Sequence, residues 1–157
     1  MIKLSENNGL EEAIVRIVRI IAGALLLFVA NFSLLRPAFS QSIWDGVFSA
    51  EQTQRGDVLY QEHCASCHGA ELVSSDPDYP NLTAPQFRWN WGKKTLAERL
   101  QRVRSSMPPN AKNSLAPQEY LDIITFILKS NGYPAGAAEI KADSGALIKI
   151  VVDPPKQ

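Results

Sequence analysis

The sequence predicts an all-α fold, because apolar residues recur at helical spacing in two segments while prolines and turn residues fill much of the rest. Residues 94–106 and residues 117–132 each place an apolar stripe on one helix face. A third, more polar helix is expected over residues 51–63. The stripe residues are Leu96, Leu100 and Val103 in the first segment and Leu121, Ile124 and Leu128 in the second. No internal repeat is present.

The helix ends carry their own signals. Ser49 is a candidate cap for the first helix, Thr95 lies at the start of the second, and Pro117 suits the first turn of the third. Residues 69–91 contain several prolines, serines and aspartates, so this region is predicted to be mostly loop. Gly56, four residues before Tyr60, offers a point at which another helix can approach closely.

The charge balance disfavours binding to nucleic acid or to an anionic membrane surface. Lysine plus arginine and aspartate plus glutamate number 16 each among 157 residues, so the chain has no bulk field for either partner.

The first 40 residues predict export. Arg16 and Arg19 precede an uncharged run over residues 20–35, which is shorter than the about 20 apolar residues that a spanning helix needs. Ala38 and Ser40 are the small residues expected before a cleavage site. Residues 1–40 are therefore interpreted as a signal peptide, with an uncleaved N-terminal anchor as the alternative. Export predicts a periplasmic protein, attached to the membrane only if the segment is retained.

Both cysteines of the chain lie in the stretch Cys64-Ala-Ser-Cys67-His68. A disulfide between them would close a very short loop and stabilise little. A structural zinc site needs four ligands, and no second cysteine or histidine pair is present in the sequence. A thioredoxin-like pair would require a βαβ context, which the helix-and-loop pattern lacks.

Covalent haem attachment uses all three residues of this motif. Two thiols add to the porphyrin vinyl groups, and the adjacent imidazole ligates the iron. The sequence thus predicts one haem c, bound through Cys64 and Cys67 and ligated by His68. His63 precedes Cys64 on the same side of the ring and is interpreted as a solvated residue at a helix end.

The second axial ligand decides between an electron carrier and a catalyst with an open site. Met107 is the candidate, since Met1 is lost with the signal peptide and the sequence has no third methionine. Pro108 and Pro109 follow it and restrict the backbone. A thioether ligand raises the haem potential and suits electron transfer.

The motifs "CASCHG", "YPNL", "WG", "MPP" and "YLDIITFIL" together resemble class I c-type cytochromes. The resemblance implies three to four helices around one covalent haem, with the first and last helices crossing near it. It covers residues 50–136, which leaves residues 41–49 as a lead-in and residues 137–157 as a C-terminal tail docked on the domain.

The resemblance also implies further site residues. The carbonyl of Pro80 should accept a hydrogen bond from Nδ1 of His68, and Trp91 should lie near a haem propionate, with Arg88 as a further candidate to pair with that charge. The serine that commonly caps the family's last helix is replaced by Ala116 here, so the cap is missing or is supplied by Ser114.

The stretches from Phe48 to Leu72 and "NGYPAGAAEI" are similar to cytochromes that accept electrons from pyrroloquinoline quinone-dependent dehydrogenases. This similarity implies a redox partner and nothing about catalysis. With both axial positions filled, the sequence predicts a one-electron carrier and no enzyme, between such a dehydrogenase and a terminal oxidase or another cytochrome. The alternatives are a haem c subunit of a larger oxidoreductase and a haem catalyst with a displaceable axial ligand.

Overall fold

The computed structural model describes residues 12–21 and residues 41–154. They belong to two separate units. Residues 12–21 are helical and exposed. No helix in the described residues is long and apolar enough to cross a membrane. The predicted cleavage site and most of the predicted signal peptide lie outside the described residues, so that interpretation stays a prediction.

Residues 41–154 fold as helices joined by loops, with a single pair of short strands in this part of the chain. Strand β1 spans Gln41–Ser42 and is followed by a 3-10 turn at Ile43–Asp45. The remaining elements are α1 (Ala50–His63), α2 (Ala65–His68), α3 (Gln86–Trp91), α4 (Leu96–Ser106), α5 (Pro117–Ser130) and β2 (Ile150–Val151). The predicted all-α class and the three longer helices are confirmed.

The region expected to be mostly loop contains the short helix α3. Phe87 and Trp91 lie one turn apart on it, both are buried, and their rings stack with centroids 5.1 Å apart. The prolines of this region led the sequence analysis to predict a loop. Pro85 does not disrupt the helix, because it lies directly before it, where a fixed φ is tolerated.

Each longer helix begins with a hydrogen bond from the backbone to a side chain. The Ser49 hydroxyl accepts from the Gln52 N–H at 3.1 Å, and the Thr95 hydroxyl accepts from the Glu98 N–H at 3.2 Å. At α5 the Ala116 N–H donates to the Glu119 carboxylate at 2.7 Å. No side-chain hydrogen bond caps α5, so the serine cap is missing, and Glu119 holds the N–H of the residue before the helix instead.

Helices α1 and α5 cross at Gly56. A Cβ placed on Gly56 would collide with the Asp122 carbonyl oxygen, so only glycine permits the observed approach. Tyr60, Tyr120 and Leu121 are buried around this crossing. The contact between α1, which precedes the CxxCH motif, and α5, the last helix, therefore forms part of the core.

The C-terminal segment packs on the same core. Strand β2 pairs in parallel with β1, and Val152 exchanges backbone hydrogen bonds of 2.8 Å with Lys93 and Lys94. Buried apolar side chains of this segment are Ile140, Leu147, Ile150 and Val152. The C-terminal segment is thus hydrogen-bonded both to the lead-in and to the turn between α3 and α4.

Candidate haem site

The CxxCH motif forms a single helical turn at the end of α1. Cys64 ends α1, and α2 then brings His68 to a buried position, with 7% of its surface exposed. Gly69 has a φ of +79°, and a Cβ there would collide with the Val73 carbonyl oxygen. The chain can therefore turn back over the histidine only with glycine at this position.

The His68 ring is oriented by the proline loop. Its Nδ1 lies 2.9 Å from the Pro80 carbonyl oxygen, which is the contact that the family resemblance implies. A carbonyl can only accept, so Nδ1 carries the proton and Nε2 keeps its lone pair. A histidine held in this way presents Nε2 as a metal ligand.

Other bonds hold the turn that follows the histidine. The Tyr60 hydroxyl donates to the Gly69 carbonyl at 2.7 Å, and the Ser74 hydroxyl donates to the Cys67 carbonyl at 2.8 Å. Burial raises the pKa of Tyr60, with a smaller effect from Cys64, so the phenol stays protonated and available as a donor.

No disulfide joins Cys64 and Cys67, and both are half-buried. Burial, followed by the nearby Cys67, raises the pKa of Cys64 to about 11. Before haem is attached, Cys64 is therefore protonated at neutral pH, unlike the reactive thiolate of a dithiol oxidoreductase. In the described residues, no group of three or more His, Cys, Asp or Glu side chains could hold a metal ion by itself. Cys64 and Cys67, beside His68, suit covalent attachment of a porphyrin that brings its own iron.

Met107 lies where α4 ends, with its side chain half-buried. Its N–H donates to the Val103 carbonyl at 2.8 Å, and its carbonyl accepts from the Tyr120 hydroxyl of α5 at 3.0 Å. After the two prolines, the Asn113 N–H donates a hydrogen bond to the Arg104 carbonyl at 2.9 Å. The backbone of Met107 is therefore fixed by both α4 and α5.

The remaining predicted site residues differ in burial. Trp91 is 6% exposed and stacks on Phe87, whereas Arg88 projects from the exposed side of α3. Their roles at a haem propionate stay predictions. His63 is half-buried at the end of α1, with Nε2 3.8 Å from the Glu62 carboxylate.

The sequence reasoning missed a buried polar network at the helix crossing. The Asp122 carboxylate accepts hydrogen bonds from Gln52 at 2.8 Å, Arg55 at 3.0 Å and Gln118 at 2.9 Å. Arg55 also pairs with Glu139 at 2.7 Å. An aspartate among the apolar residues of α5 was the available signal, since a buried carboxylate requires partners.

This helical fold and the arrangement of Cys64, Cys67 and His68 are typical of a c-type cytochrome domain. Residues 51–127 match the family described as Cytochrome C oxidase, cbb3-type, subunit III. This part of the chain is a cytochrome c family domain, and it binds haem c covalently.

Two curated relatives are similar over part of their length. The chain is 30% identical over 78 residues to a thiosulfate dehydrogenase of Thiomonas intermedia (strain K12), which covers 46% of this chain and 25% of that protein. It is 33% identical over 79 residues to a thiosulfate dehydrogenase of Allochromatium vinosum, which covers 46% of this chain and 29% of that protein. The chain thus spans less than a third of the curated relatives it matches. No solved structure matches it significantly.

Proposed function

We propose that this protein is a periplasmic one-electron carrier in which His68 and Met107 fill both axial positions of the haem iron. The cytochrome c domain supports haem-based electron transfer. The observation that carries the finer assignment is the pair of buried tyrosines on the crossing helices. Tyr60 fixes the turn after His68, and Tyr120 fixes the backbone of Met107.

The two ligand positions are thus both attached to one rigid unit. Tyr60 and Tyr120 are fully buried, and α1 and α5 meet at Gly56 without space for a Cβ. The bound haem supplies the one-electron couple, and a His/Met ligand set favours the reduced state. A scaffold that holds both ligand segments in place limits rearrangement on oxidation, which suits electron transfer.

We further propose export through residues 1–40, as a cleaved signal peptide or a retained anchor. The electron donor proposed from the family resemblance is a pyrroloquinoline quinone-dependent dehydrogenase, and the acceptor is a terminal oxidase or another cytochrome. The uncharged run after Arg19 and the similarity at residues 48–72 support these assignments.

A second candidate is a haem catalyst, or the haem subunit of an oxidoreductase, that acts on thiosulfate. The similarity to two proteins named thiosulfate dehydrogenase favours it. In this candidate Met107 would be a displaceable ligand of the haem, and the haem would supply the site at which thiosulfate gives up electrons.

Thiosulfate oxidation separates the two candidates. The purified full-length holoprotein is mixed with thiosulfate and ferricyanide, and the consumption of both is followed beside a Met107→Ala control. The carrier proposal predicts no sustained turnover by the wild type, together with reversible one-electron titration of the haem. Sustained thiosulfate oxidation by the wild type would overturn the carrier proposal.

A further inference from the structure

The charges around the haem site are divided between two segments of the chain. From Gly56 to Phe87 the sequence contains no lysine or arginine, and five carboxylates lie in that interval. From Asn81 to Leu115 a single carboxylate, Glu98, accompanies seven basic residues. These are Arg88, Lys93, Lys94, Arg99, Arg102, Arg104 and Lys112.

The basic residues are not neutralised within the protein. In the part of the chain that the structure describes, none of the seven forms an ion pair. Glu98 is engaged at the start of α4, where its carboxylate accepts from both the N–H and the hydroxyl of Thr95. The field of these cations is therefore available to a partner.

An exposed aromatic ring lies beside these charges. Trp89 is 90% exposed, because it projects away from the side of α3 that buries Phe87 and Trp91. Arg99 of α4 donates to the carbonyl of the adjacent residue Asn90 at 2.9 Å. Arg102 follows one turn after Arg99 and is exposed. Trp89, Arg99 and Arg102 form what we call the Trp89 surface.

The environment of Arg99 leaves its guanidinium group only partly compensated. Its Nε is buried without a hydrogen-bond partner. Burial lowers the pKa of Arg99, Glu98 opposes this, and the smaller effect of the like charge of Arg102 adds to the lowering. A carboxylate placed beside the guanidinium groups of Arg99 and Arg102 would offset the repulsion between them.

We propose that the Trp89 surface docks an acidic partner protein during electron transfer. Tryptophan and arginine are the residue types that most often dominate protein–protein binding energy, and here they lie together beside the helix that ends at Met107. This inference rests on the proposed carrier function, because it assigns the face through which one of the partners binds.

An acidic protein fits this surface better than a polyanion does. Nucleic acid and anionic membranes extend beyond one patch, and the carboxylates of residues 57–78 would repel them. A protein partner of limited size can contact the basic segment alone. Encounters of this kind are small and transient.

The test measures electron exchange between the full-length holoprotein and plastocyanin, an acidic blue-copper protein, by stopped flow over a series of salt concentrations. Three variants are compared: Trp89→Ala, Arg102→Glu, and Lys129→Glu as the control. Lys129 is exposed on α5, outside the Trp89 surface, and its reversal changes the net charge by the same amount. Unchanged haem spectra and potentials verify that each variant is folded.

Arg102→Glu is expected to lower the second-order rate constant about fivefold or more at low salt and to flatten its salt dependence. Trp89→Ala is expected to lower the rate constant about fivefold at every salt concentration, with the salt dependence retained. Lys129→Glu should change the rate constant less than about twofold.

Equal effects of Arg102→Glu and Lys129→Glu would overturn the proposal, since only net charge would then matter. Sedimentation with phosphatidylglycerol vesicles that is lost in Trp89→Ala, with plastocyanin exchange unaffected, would also overturn it in favour of a membrane surface. Thiosulfate turnover by the wild type would refute the carrier function independently, because this docking test depends on differences between variants.

Discussion

Two segments of the molecule contribute the proposed ligands, and they are held differently. In the histidine segment (residues 64–82), Tyr60, Ser74 and Pro80 each bond to the turn that carries His68. In the methionine segment (residues 104–116), the Tyr120 hydroxyl donates a hydrogen bond to the Met107 carbonyl. The histidine segment is therefore fixed by α1 and by its own loops. The methionine segment is fixed by α4 and, through a side-chain hydrogen bond, by α5.

Removing the attachment points should disrupt the histidine segment most strongly. In the double variant Cys64→Ala/Cys67→Ala no thiol remains to bind the porphyrin, so we expect no haem to stay with the chain after denaturation. A haem stain of the denatured protein measures this directly. Ser66→Ala, between the two cysteines, serves as the control and should retain covalent haem. Covalent haem in the double variant would contradict the assigned attachment.

Widening the helix crossing should weaken both segments together. A methyl group at Gly56 collides with the Asp122 backbone, so Gly56→Ala should lower the free energy of unfolding by about 1–3 kcal/mol. Urea unfolding measures this change. Gly145→Ala is the matched control, because its added Cβ meets no atom within 4 Å. Equal stability of the two variants would show that the crossing adapts without cost.

Paired tyrosine variants separate the two segments. Tyr60→Phe and Tyr120→Phe each remove one hydroxyl and keep the buried ring, at a cost of roughly 1 kcal/mol in unfolding free energy. We expect faster cyanide binding to ferric haem in Tyr120→Phe, since the methionine segment loosens, and little change in Tyr60→Phe. Stopped-flow cyanide binding checks this. Equal rates in both variants would remove the distinction between the segments.

The smallest expected effect concerns the ion pair between Arg55 of α1 and Glu139 of the C-terminal segment. Hydrogen bonds from Arg55 and then from Lys141 lower the pKa of Glu139 to about 2, from an ordinary value of 4.5. The stabilisation from this carboxylate is present above pH 4.5 and is lost as the pH falls toward 2. The stability gap between wild type and Glu139→Gln should therefore close in acid.

Unfolding midpoints between pH 2 and pH 7 measure this gap. Glu71→Gln is the control, because Glu71 is exposed and forms no ion pair in the described part of the chain. A gap for Glu139→Gln that is independent of pH would show that the ion pair contributes nothing.

Local patterns predicted much of this fold. The stripe of α4 and the Pro117 start of α5 depend on neighbouring residues, so the sequence reveals them directly. Helix α3 escaped prediction because its two buried aromatic residues, Phe87 and Trp91, give too little periodicity among prolines. Its stability comes from burying Phe87 and Trp91 against the core.

The candidate site divides in the same way. The CxxCH motif is local and identifies the cofactor, and the Pro80 contact followed from the resemblance. Asp122 bonds to Gln52 and Arg55, which precede it in the sequence by 70 and 67 positions. Asn131 bonds to Leu82, which precedes it by 49 positions. Such contacts form only when the helices pack, so spacing in the sequence does not reveal them.

The central claim is that both axial positions are filled by side chains of this chain, His68 and Met107. The far-red absorption of the ferric holoprotein tests it most directly, in the wild type and in Met107→Ala. We predict a sulfur-to-iron band in the wild type, with its loss in Met107→Ala and a fall in potential of about 0.1 V or more, within the ~0.8 V range that axial ligands set. A wild-type spectrum without this band, or one that Met107→Ala leaves unchanged, would contradict the account.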